Sequence, residues 1–377
     1  MNFNALTEYL KTLEGELGLA GYDCAVYLDG GEVYRRMEGY ADREAGRPIA
    51  HDTIYRMFSM TKPITCTAAM QLYERGKFLL TDPLGNYLPE FREMTVREGD
   101  SLRPARNPIT IRNLFTMSAG LTYDLDSPSM QAMKRDTAGQ YTTRQLVQAL
   151  AKEPLTYDPG EHWAYSLAHD VLGALIEEVS GLPFEEYLQR HIFAPLGMKD
   201  AHFFVPEDKL GRVAYRYGCE RGKAPVREAY ENVYQRSPNC RSGGAGLSCT
   251  LDDYARFACA MCRGGWCEET QTRILGSATV RLMRENQLSD VQMRDFHWVQ
   301  YAGYGYGLGV RTLVSRAGSG SPGGLGEFGW GGAAGTYALI DPEYRLVMLF
   351  GQQSSPNFEN VVQPRIRNIL YRCLEEV

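Results

Sequence analysis

Segments with the pattern of β-strands lie at both ends of this 377-residue chain, and segments with the pattern of helices lie between them. Near the N-terminus, CAVYL and EVYRRMEGY flank turn residues 29–31, which predicts a hairpin. From residue 304 on, YGYGLGVRTL, GTYALID and RLVMLFGQQ are rich in β-branched and aromatic residues. This arrangement predicts an antiparallel sheet assembled from both chain ends. Helices are predicted over residues 5–17 and near the C-terminus.

The middle of the chain, from about residue 81 to residue 235, favours helices. Helical spacing is found in ITIRNLFTMSAGL, TTRQLVQALAK, DVLGALIEEVSG and PFEEYLQRHIF. A chain of 377 residues also exceeds the size at which one core keeps growing. We therefore predict an α/β (α+β) fold. Residues 1–58 plus 244–377 form its sheet domain, residues 59–243 form an inserted helical domain, and the active site lies at their interface.

Composition excludes several classes of protein. Hydrophobic residues make up 44% and charged residues 23%, which is typical of globular chains rather than disordered ones. The net charge of -6 comes without a long run of one sign, so no nucleic-acid partner is expected. The first 17 residues contain Glu8, Lys11 and Glu14, which interrupt any signal-peptide core, and no apolar run of about 18 residues follows. We expect a cytoplasmic protein with no membrane partner; the oligomeric state is left open.

The nine cysteines and six histidines do not indicate a cofactor. Nine cysteines without an export signal are best interpreted as reduced thiols. The cluster FACAMCRGGWC contains a CxxC, but a zinc site needs four ligands, and Cys259 and Cys262 fit the end of an amphipathic helix that stops at residues 264–265. No histidine pair has metal-ligand spacing. We predict no metal and no other cofactor.

Ser59 and Lys62 form an S-x-x-K motif at the start of a helical segment that is predicted from Met57 to about Leu80. Residues three apart lie on one face of a helix, so the hydroxyl and the amine can meet. Serine becomes a nucleophile only when a base takes its proton, and lysine can do this only if its pKa falls by roughly 3 units. Apolar neighbours would lower it. A capping serine beside a surface lysine is the alternative from this motif alone.

Two other segments carry groups suited to the same chemistry. Tyr165 stands just before a helical segment, where a phenol held between cations can lose its proton below its usual pKa. The alternative is a core tyrosine, since the chain has 24 of them. In EFGWGGAAGTYALIDP, a glycine-rich edge precedes a strand and would let a substrate approach the backbone.

Together these segments resemble the serine beta-lactamase and penicillin-binding-protein superfamily, most closely its class C branch and the related beta-lactamase-fold esterases. SMTK at 59–62 resembles the nucleophile box, YSL at 165–167 stands where class C enzymes carry Tyr-x-Asn, and WGG at 330–332 stands where they carry Lys-Thr-Gly. The resemblance spans nearly the whole chain and also includes LLTDPLGNYLPEF, ITIRNLFTMSAGL, YSLAHDVLGALIEEVSG and IFAPLGMKD. It implies a beta-lactamase/transpeptidase-like fold.

The resemblance also implies roles for particular residues. Ser59 would be the nucleophile, Lys62 its base or proton relay, and Tyr165 the group that passes the proton to the leaving group. The backbone N–H groups of Ser59 and Ala333 would form the oxyanion hole. Which of Lys62 and Tyr165 takes the serine proton stays open, because the two titrate as a coupled pair.

Two departures from the family pattern bear on the substrate. Leu167 replaces the asparagine that would bracket a beta-lactam side chain, and Trp330 replaces the lysine that pairs with the substrate carboxylate. Losing a charged hydrogen-bond partner is worth about 1.5 to 3 kcal/mol, so efficient beta-lactam turnover should be impaired. We predict that Trp330, Gly331, Gly332 and Leu167 contact the substrate. The prediction is a serine hydrolase of small carboxylic esters, with amide hydrolysis or acyl transfer as neighbouring reactions.

Two other functions are retained as alternatives. One is a beta-lactamase, or a D-Ala-D-Ala peptidase or other amide hydrolase of the same fold, and the other is an acyl-binding sensor that acylates without turnover. Among weaker signals, His169 is interpreted as structural, GSGSPG as a loop, and the aromatic stretch 296–307 either as packing or as part of an acyl pocket. The chain has no GxSxG, so it lacks the nucleophile elbow of the α/β-hydrolases.

Overall fold

A computed structural model describes residues 1–229, 235 and 237–375 of the chain. The helices are α1 (Asn4–Leu17), α2 (Thr61–Glu74), α3 (Ile111–Phe115), α4 (Pro128–Asp136), α5 (Thr143–Leu150), α6 (Ala168–Ser180), α7 (Phe184–Leu188), α8 (Ala194–Leu196), α9 (Leu251–Cys262), α10 (Ser277–Met283), α11 (Asp290–Asp295), α12 (Arg316–Ser319) and α13 (Glu359–Glu375). None of the described helices combines the length and the apolar character that crossing a membrane requires.

The strands are short in the middle of the chain and longer at its ends. They are β1 (Gly21–Leu28), β2 (Gly31–Asp42), β3 (Arg47–Pro48), β4 (Ile54–Arg56), β5 (Thr95–Glu98), β6 (Ser101–Pro104), β7 (Tyr217–Gly218), β8 (Val226–Arg227), β9 (Ser248–Thr250), β10 (Trp266–Cys267), β11 (Thr272–Arg273), β12 (Tyr304–Tyr306), β13 (Arg311–Leu313), β14 (Phe328–Gly331), β15 (Tyr337–Asp341), β16 (Leu346–Gln352) and β17 (Ser354–Ser355).

The central sheet is assembled from both ends of the chain, as the sequence predicts. Over the described residues its strand order is β12-β13-β14-β15-β16-β1-β2-β3, with antiparallel neighbours throughout. The predicted N-terminal hairpin is β1 paired with β2. Strand β1 also pairs with β16, which joins the N-terminal and C-terminal parts of the chain into one sheet. The mixed α/β class is therefore confirmed.

Two hydrophobic layers cover the two faces of this sheet. Side chains alternate along a strand, so Cys24 and Val26 of β1 belong to one layer and Ala25 to the other. The first layer is closed by α1 and α13, and α1 contributes a stripe of leucines at helical spacing: Leu6, Leu10, Leu13 and Leu17. Helix α1 ends at Gly18, whose φ of 71° closes the helix with a left-handed residue. The second layer includes α9 and continues into the helices of the central segment.

Helix α2 runs through the second layer and is buried from Thr61 to Leu72. A helix that is buried all round needs small and apolar side chains on every face, and TKPITCTAAM provides them. The predicted helix from Met57 to Leu80 is too long. A single tight turn at Phe58–Met60 precedes α2, and the helix ends at Glu74, just before Gly76 with a φ of 67°.

The central segment is mainly helical but not entirely so. It also contains a hairpin of β5 and β6, which the sequence analysis did not predict. The predicted boundary between a sheet domain and a helical domain of residues 59–243 stays a prediction. That range includes residues 230–234 and 236, which lie outside the described residues.

Candidate active site

Ser59 stands in the tight turn that leads into α2. The residue before it, Phe58, has a φ of 46°, a left-handed conformation that costs energy for any residue with a side chain. The buried Phe58 ring and the hydrogen bond from Thr61 Oγ1 to the Phe58 carbonyl, at 2.6 Å, hold this turn. Because the chain turns sharply here, Ser59 is partly exposed, although the helix α2 that follows it is buried.

Two side chains, one near in sequence and one distant, meet the hydroxyl of Ser59. The Lys62 amine lies 3.2 Å from Ser59 Oγ, and the Tyr165 hydroxyl donates to the same oxygen at 2.6 Å. Lys62 reaches it from the first turn of α2, while Tyr165 reaches it from the loop before α6. The structure thus brings together the residues that the sequence predicts as nucleophile, base and proton carrier.

Lys62 is fully buried, and none of its hydrogen bonds goes to a carboxylate in the described chain. Its amine donates to the Gly244 carbonyl oxygen at 2.8 Å and lies 4.5 Å from the centre of the Tyr165 ring. Burial lowers the pKa of Lys62 to about 7, although the charge of Asp170 opposes the shift. A substantial fraction of the amine is therefore neutral near neutral pH and is able to accept a proton.

Tyr165 lies between two aromatic rings. Tyr123 stacks on one side with centroids 5.4 Å apart, Trp330 stacks at 5.9 Å, and the Trp330 indole N–H donates to the Tyr165 hydroxyl at 3.3 Å. Burial raises the pKa of Tyr165, whereas the sequence analysis considered a lowered value. Hydrogen bonds with Ser59 and Trp330 oppose the effect of burial on this pKa only in part, and the charges of Glu359 and Asp170 add to it.

Asp170 was not singled out from the sequence. Its carboxylate accepts from Ser242 Oγ at 2.5 Å and from the Gly244 N–H at 3.4 Å. A Cβ at Gly244 would lie 2.6 Å from Asp170 Oδ2 and 3.5 Å from Lys62 Nζ, so the acid and the amine flank the same glycine. Burial raises the pKa of Asp170. No spacing in the sequence links residue 170 to Lys62, because only the tertiary fold brings them together.

A cavity of about 220 Å³ opens beside Ser59. It is lined by Ser59, Tyr165, Trp298, Tyr301, Trp330, Gly331, Gly332, Ala333, Asn357 and Glu359. Trp330, Gly331, Gly332 and Ala333 therefore lie where the sequence predicts substrate contacts and an oxyanion donor. Of the stretch 296–307, left open between packing and pocket, Trp298 and Tyr301 line the cavity. Asn357 and Glu359 were missed because they come from a loop and a helix start with no catalytic motif.

Leu167 is also predicted to contact the substrate, but it lies away from the cavity. It is 1% exposed, belongs to the hydrophobic core, and does not line the cavity. Leu167 directly precedes α6, and its backbone N–H donates to the Thr122 carbonyl. Its side chain therefore packs inside the protein, whereas the polar residue expected at this position would have to reach the substrate.

The glycines beside Trp330 let the backbone form a tight wall. A Cβ at Gly332 would lie 2.1 Å from Thr336 Oγ1 and 2.4 Å from the Met57 carbonyl oxygen, so only glycine fits. The next residue, Ala333, has a backbone N–H that meets no acceptor within the described part of the chain. Ser59 and Ala333 line the same cavity, and their role as oxyanion donors stays a prediction.

Other residues considered from the sequence lie outside this cavity. His169 is buried, contacts Cys66 and donates to the Phe115 carbonyl at 3.2 Å, and burial lowers its pKa to about 3. The Ser166 hydroxyl contacts the Met117 sulfur. Cys259 and Cys262 lie at the end of α9. In the described residues, no three histidine, cysteine or acidic side chains are grouped closely enough to hold a metal ion.

Comparison with known proteins agrees with this geometry. Residues 6–370 match the family described as Beta-lactamase. Esterase EstB of Burkholderia gladioli is 32% identical over 360 residues, covering 89% of this chain and 86% of EstB. The solved structure of EstCE1, a hydrolase with promiscuous acyltransferase activity, has a TM-score of 0.78 at 25% identity and covers 97% of both chains.

A further likeness extends to the fold alone. Simvastatin synthase LovD of Aspergillus terreus superposes with a TM-score of 0.81 at 24% identity, covering 99% of this chain and 98% of LovD. The family match spans nearly the whole chain, and the serine, lysine and tyrosine of the predicted motifs converge in one site. The chain is therefore an enzyme of the beta-lactamase family of serine hydrolases.

Proposed function

We propose that this enzyme hydrolyses small carboxylic esters through an acyl-enzyme on Ser59. One observation carries the proposal: Ser59 Oγ is held between the Tyr165 hydroxyl at 2.6 Å and the Lys62 amine at 3.2 Å, and the amine is buried without a paired carboxylate. A serine needs such a neighbouring base to become a nucleophile.

Lys62 is the base of the acylation step in this proposal. The pKa of Lys62 is lowered to about 7, while burial raises the pKa of Tyr165 above its ordinary value. The neutral amine takes the Ser59 proton as Oγ attacks the ester carbonyl carbon. Tyr165 is still protonated and hydrogen-bonded to Oγ. It is then placed to donate a proton to the departing alkoxide and to take up the proton that Lys62 holds.

The charge that develops on the carbonyl oxygen faces the backbone N–H groups of Ser59 and Ala333. Such donors are worth about 3 to 4 kcal/mol each, because they are held in place before the reaction begins. After the alcohol leaves, water attacks the acyl carbonyl with the same groups in the reverse roles, and Ser59 is regenerated with its proton.

The cavity wall supports esters over beta-lactams. Its surface beside Ser59 is aromatic, and no lysine, arginine or histidine lines it in the described chain. A penicillin or cephalosporin carboxylate would therefore find no basic partner, since Trp330 occupies the edge where one is needed. EstB and EstCE1 support the same choice by their names, as an esterase and a hydrolase.

Acyl transfer to an alcohol is a second candidate. The aromatic side chains of Tyr165, Trp298, Tyr301 and Trp330 line the cavity beside Ser59 and offer an apolar surface on which the carbon chain of an acceptor alcohol could pack. The promiscuous acyltransferase activity of EstCE1 is in line with this reaction. Adding a small primary alcohol to the assay tests it, because transfer yields a new ester at the expense of free acid.

The test of ester hydrolysis is a steady-state assay with p-nitrophenyl butanoate and with the beta-lactam nitrocefin. Ser59→Ala is the test variant, and Ser166→Ala is the matched control, because Ser166 is a neighbouring serine whose hydroxyl contacts Met117 instead of the site. Ester turnover that is lost in Ser59→Ala and kept in Ser166→Ala supports the proposal. Turnover that survives in Ser59→Ala, or faster turnover of nitrocefin than of the ester, overturns it.

Mass spectrometry of the wild-type enzyme during turnover separates hydrolysis from an acyl-binding sensor. An enzyme that turns over shows a transient acyl adduct on Ser59 that disappears when the ester is exhausted. A stoichiometric adduct that persists, with one burst of p-nitrophenol and no steady state, would identify a sensor and contradict the hydrolase proposal.

A further inference from the structure

Among the residues that line the catalytic cavity in the described chain, four are aromatic and one, Glu359, is acidic. Glu359 is the first residue of α13, is partly buried, and lines the same cavity as Ser59 and Trp330. After burial, the largest influence that raises the pKa of Tyr301 is the charge of Glu359, so the carboxylate lies close to this ring. The proposed ester hydrolysis assigns no role to Glu359.

This carboxylate has no countercharge in the described chain. Within the described residues no lysine, arginine or histidine forms an ion pair with it, and its own backbone N–H donates to Asn357 Oδ1 at 3.1 Å. Burial raises the pKa of Glu359, and only a hydrogen bond with Asn357 opposes this. The N-terminus of α13 stabilises an acidic side chain through the helix dipole. A fully exposed acid would gain the same stabilisation, so the helix dipole does not explain why Glu359 is partly buried in a cavity wall.

Aromatic rings surround the same space. The Trp330 ring lies 5.4 Å from the Tyr301 ring and 6.0 Å from the Trp298 ring, and Trp298 lies 5.5 Å from Tyr165. The faces of such rings carry negative electrostatic potential and attract cations, with tryptophan the strongest. An aromatic wall that holds one carboxylate matches an organic cation better than a neutral acyl chain.

A second polar group lies one helical turn beyond Glu359. Gln363 is 3% exposed, and neither its amide nitrogen nor its amide oxygen meets a hydrogen-bond partner in the described chain. A Cβ on Gly331, which lines the cavity, would lie 3.0 Å from the Gln363 nitrogen. Glu359 and Gln363 thus place polar groups along the helix face nearest the catalytic wall.

We propose that the ester substrate carries a positively charged ammonium group that binds between Glu359 and the aromatic rings that line the cavity, Trp298 foremost. The inference rests on the proposed ester hydrolysis and names its substrate class. The ammonium group supplies the countercharge that Glu359 lacks, and the aromatic faces replace part of its hydration. Esters with a carboxylate at the same position are disfavoured by repulsion from Glu359.

The experiment compares cationic esters with neutral esters of the same shape. One pair is butyrylcholine and the ester in which carbon replaces its nitrogen, which tests a cation in the alcohol. The other pair is the p-nitrophenyl ester of γ-trimethylammoniobutanoate and its carbon isostere, which tests a cation in the acyl group. In at least one pair, kcat/KM for the cation should exceed that of the isostere by about ten-fold or more.

Glu359→Gln is the test variant, and Glu343→Gln is the matched control, because Glu343 is exposed, pairs with Arg316 and does not line the cavity. The ratio of cationic to neutral kcat/KM should fall to within about three-fold of one in Glu359→Gln, since the ring faces alone retain only part of the attraction. It should be unchanged in Glu343→Gln. Equal rates within both pairs in the wild type, or a ratio that Glu359→Gln leaves intact, overturns the inference.

Calorimetric titration of the four esters into Ser59→Ala separates this inference from the proposed function. If the wild type turns over neutral esters but neither pair shows a preference for the cation in rate or binding, the ammonium inference fails and ester hydrolysis stands. If no ester is turned over, the proposed function fails. Tighter binding of the cationic esters to Ser59→Ala, lost in Ser59→Ala with Glu359→Gln, would then still support the cation site, and equal binding would overturn it.

Discussion

Among the lysines and arginines of the described residues, Lys62 and Arg311 are completely buried, and they are held in opposite ways. Arg311, in the central sheet, donates to Glu327 at 2.8 Å, to the Tyr337 hydroxyl at 2.7 Å and to the Ala338 carbonyl at 3.1 Å. Lys62, behind the nucleophile, meets only the neutral oxygens of Gly244 and Ser59. Both are 0% exposed, so burial alone does not distinguish them.

The difference between them lies in the negative charge that each contacts. Burial opposes the charge of Arg311, but Tyr337 and Glu327 outweigh it and raise the pKa of Arg311. At Lys62 burial dominates and lowers the pKa to about 7. The carboxylate of Asp170 accepts hydrogen bonds from Ser242 Oγ and from the backbone N–H of Gly244 instead of from the Lys62 amine. A buried cation becomes a base when its countercharge is kept out of contact.

The largest effect is expected from making the Lys62 site resemble the Arg311 site. In Lys62→Arg the side chain stays protonated at every accessible pH, so it cannot take the Ser59 proton. We expect kcat/KM for p-nitrophenyl butanoate to fall by about 10³-fold or more.

The control for Lys62→Arg is its unfolding transition in urea, which should remain cooperative. Loss of activity in a folded protein assigns the effect to the missing base. A folded Lys62→Arg enzyme that keeps more than about a tenth of its activity would show that Tyr165 or water takes the proton, since losing a general base costs at least 10²-fold.

A smaller effect should follow from making the Arg311 site resemble the Lys62 site. Glu327→Gln removes the carboxylate from a buried guanidinium that cannot lose its proton, which is expected to cost about 3 kcal/mol in the free energy of unfolding. Urea denaturation measures it. Glu343→Gln, which breaks an exposed pair with Arg316, should cost less than about 1 kcal/mol. Equal losses in the two variants would show that the buried pair has no special role.

Local chemistry explains which parts of this molecule could be predicted from its sequence. The hairpin of β1 and β2 and the approach of Lys62 to Ser59 both depend on residues close in the chain. Spacing and propensity act over such distances. The assembly of one sheet from both chain ends also followed from the strand patterns there, whereas the order of its strands comes from the tertiary fold.

Contacts made by the tertiary fold were out of reach of pattern reasoning. The Gly244 carbonyl meets Lys62 across 182 residues, and Glu359 enters the catalytic wall from the last helix. Tyr165 could be separated from a core tyrosine only through the family resemblance, because the chain has 24 tyrosines and its local sequence fits either interpretation. The same resemblance assigned Leu167 to the substrate, but an apolar side chain at that position gains more free energy in the core, where Leu167 is found.

The smallest effect is expected from removing the negative charge of Asp170, which lies near Lys62 but forms no hydrogen bond with it in the described chain. Because the neutral amine is the active form, kcat/KM of the wild type should rise with pH through an inflection near 7. It should then stay level up to the ordinary pKa of tyrosine, since burial raises the pKa of Tyr165. The negative charge of Asp170 raises the pKa of Lys62, so Asp170→Asn should move the inflection to lower pH by about 0.5 to 1 unit, on the order of 1 kcal/mol. An inflection that stays in place would contradict a role for the charge of Asp170 and would leave burial as the cause of the lowered pKa of Lys62.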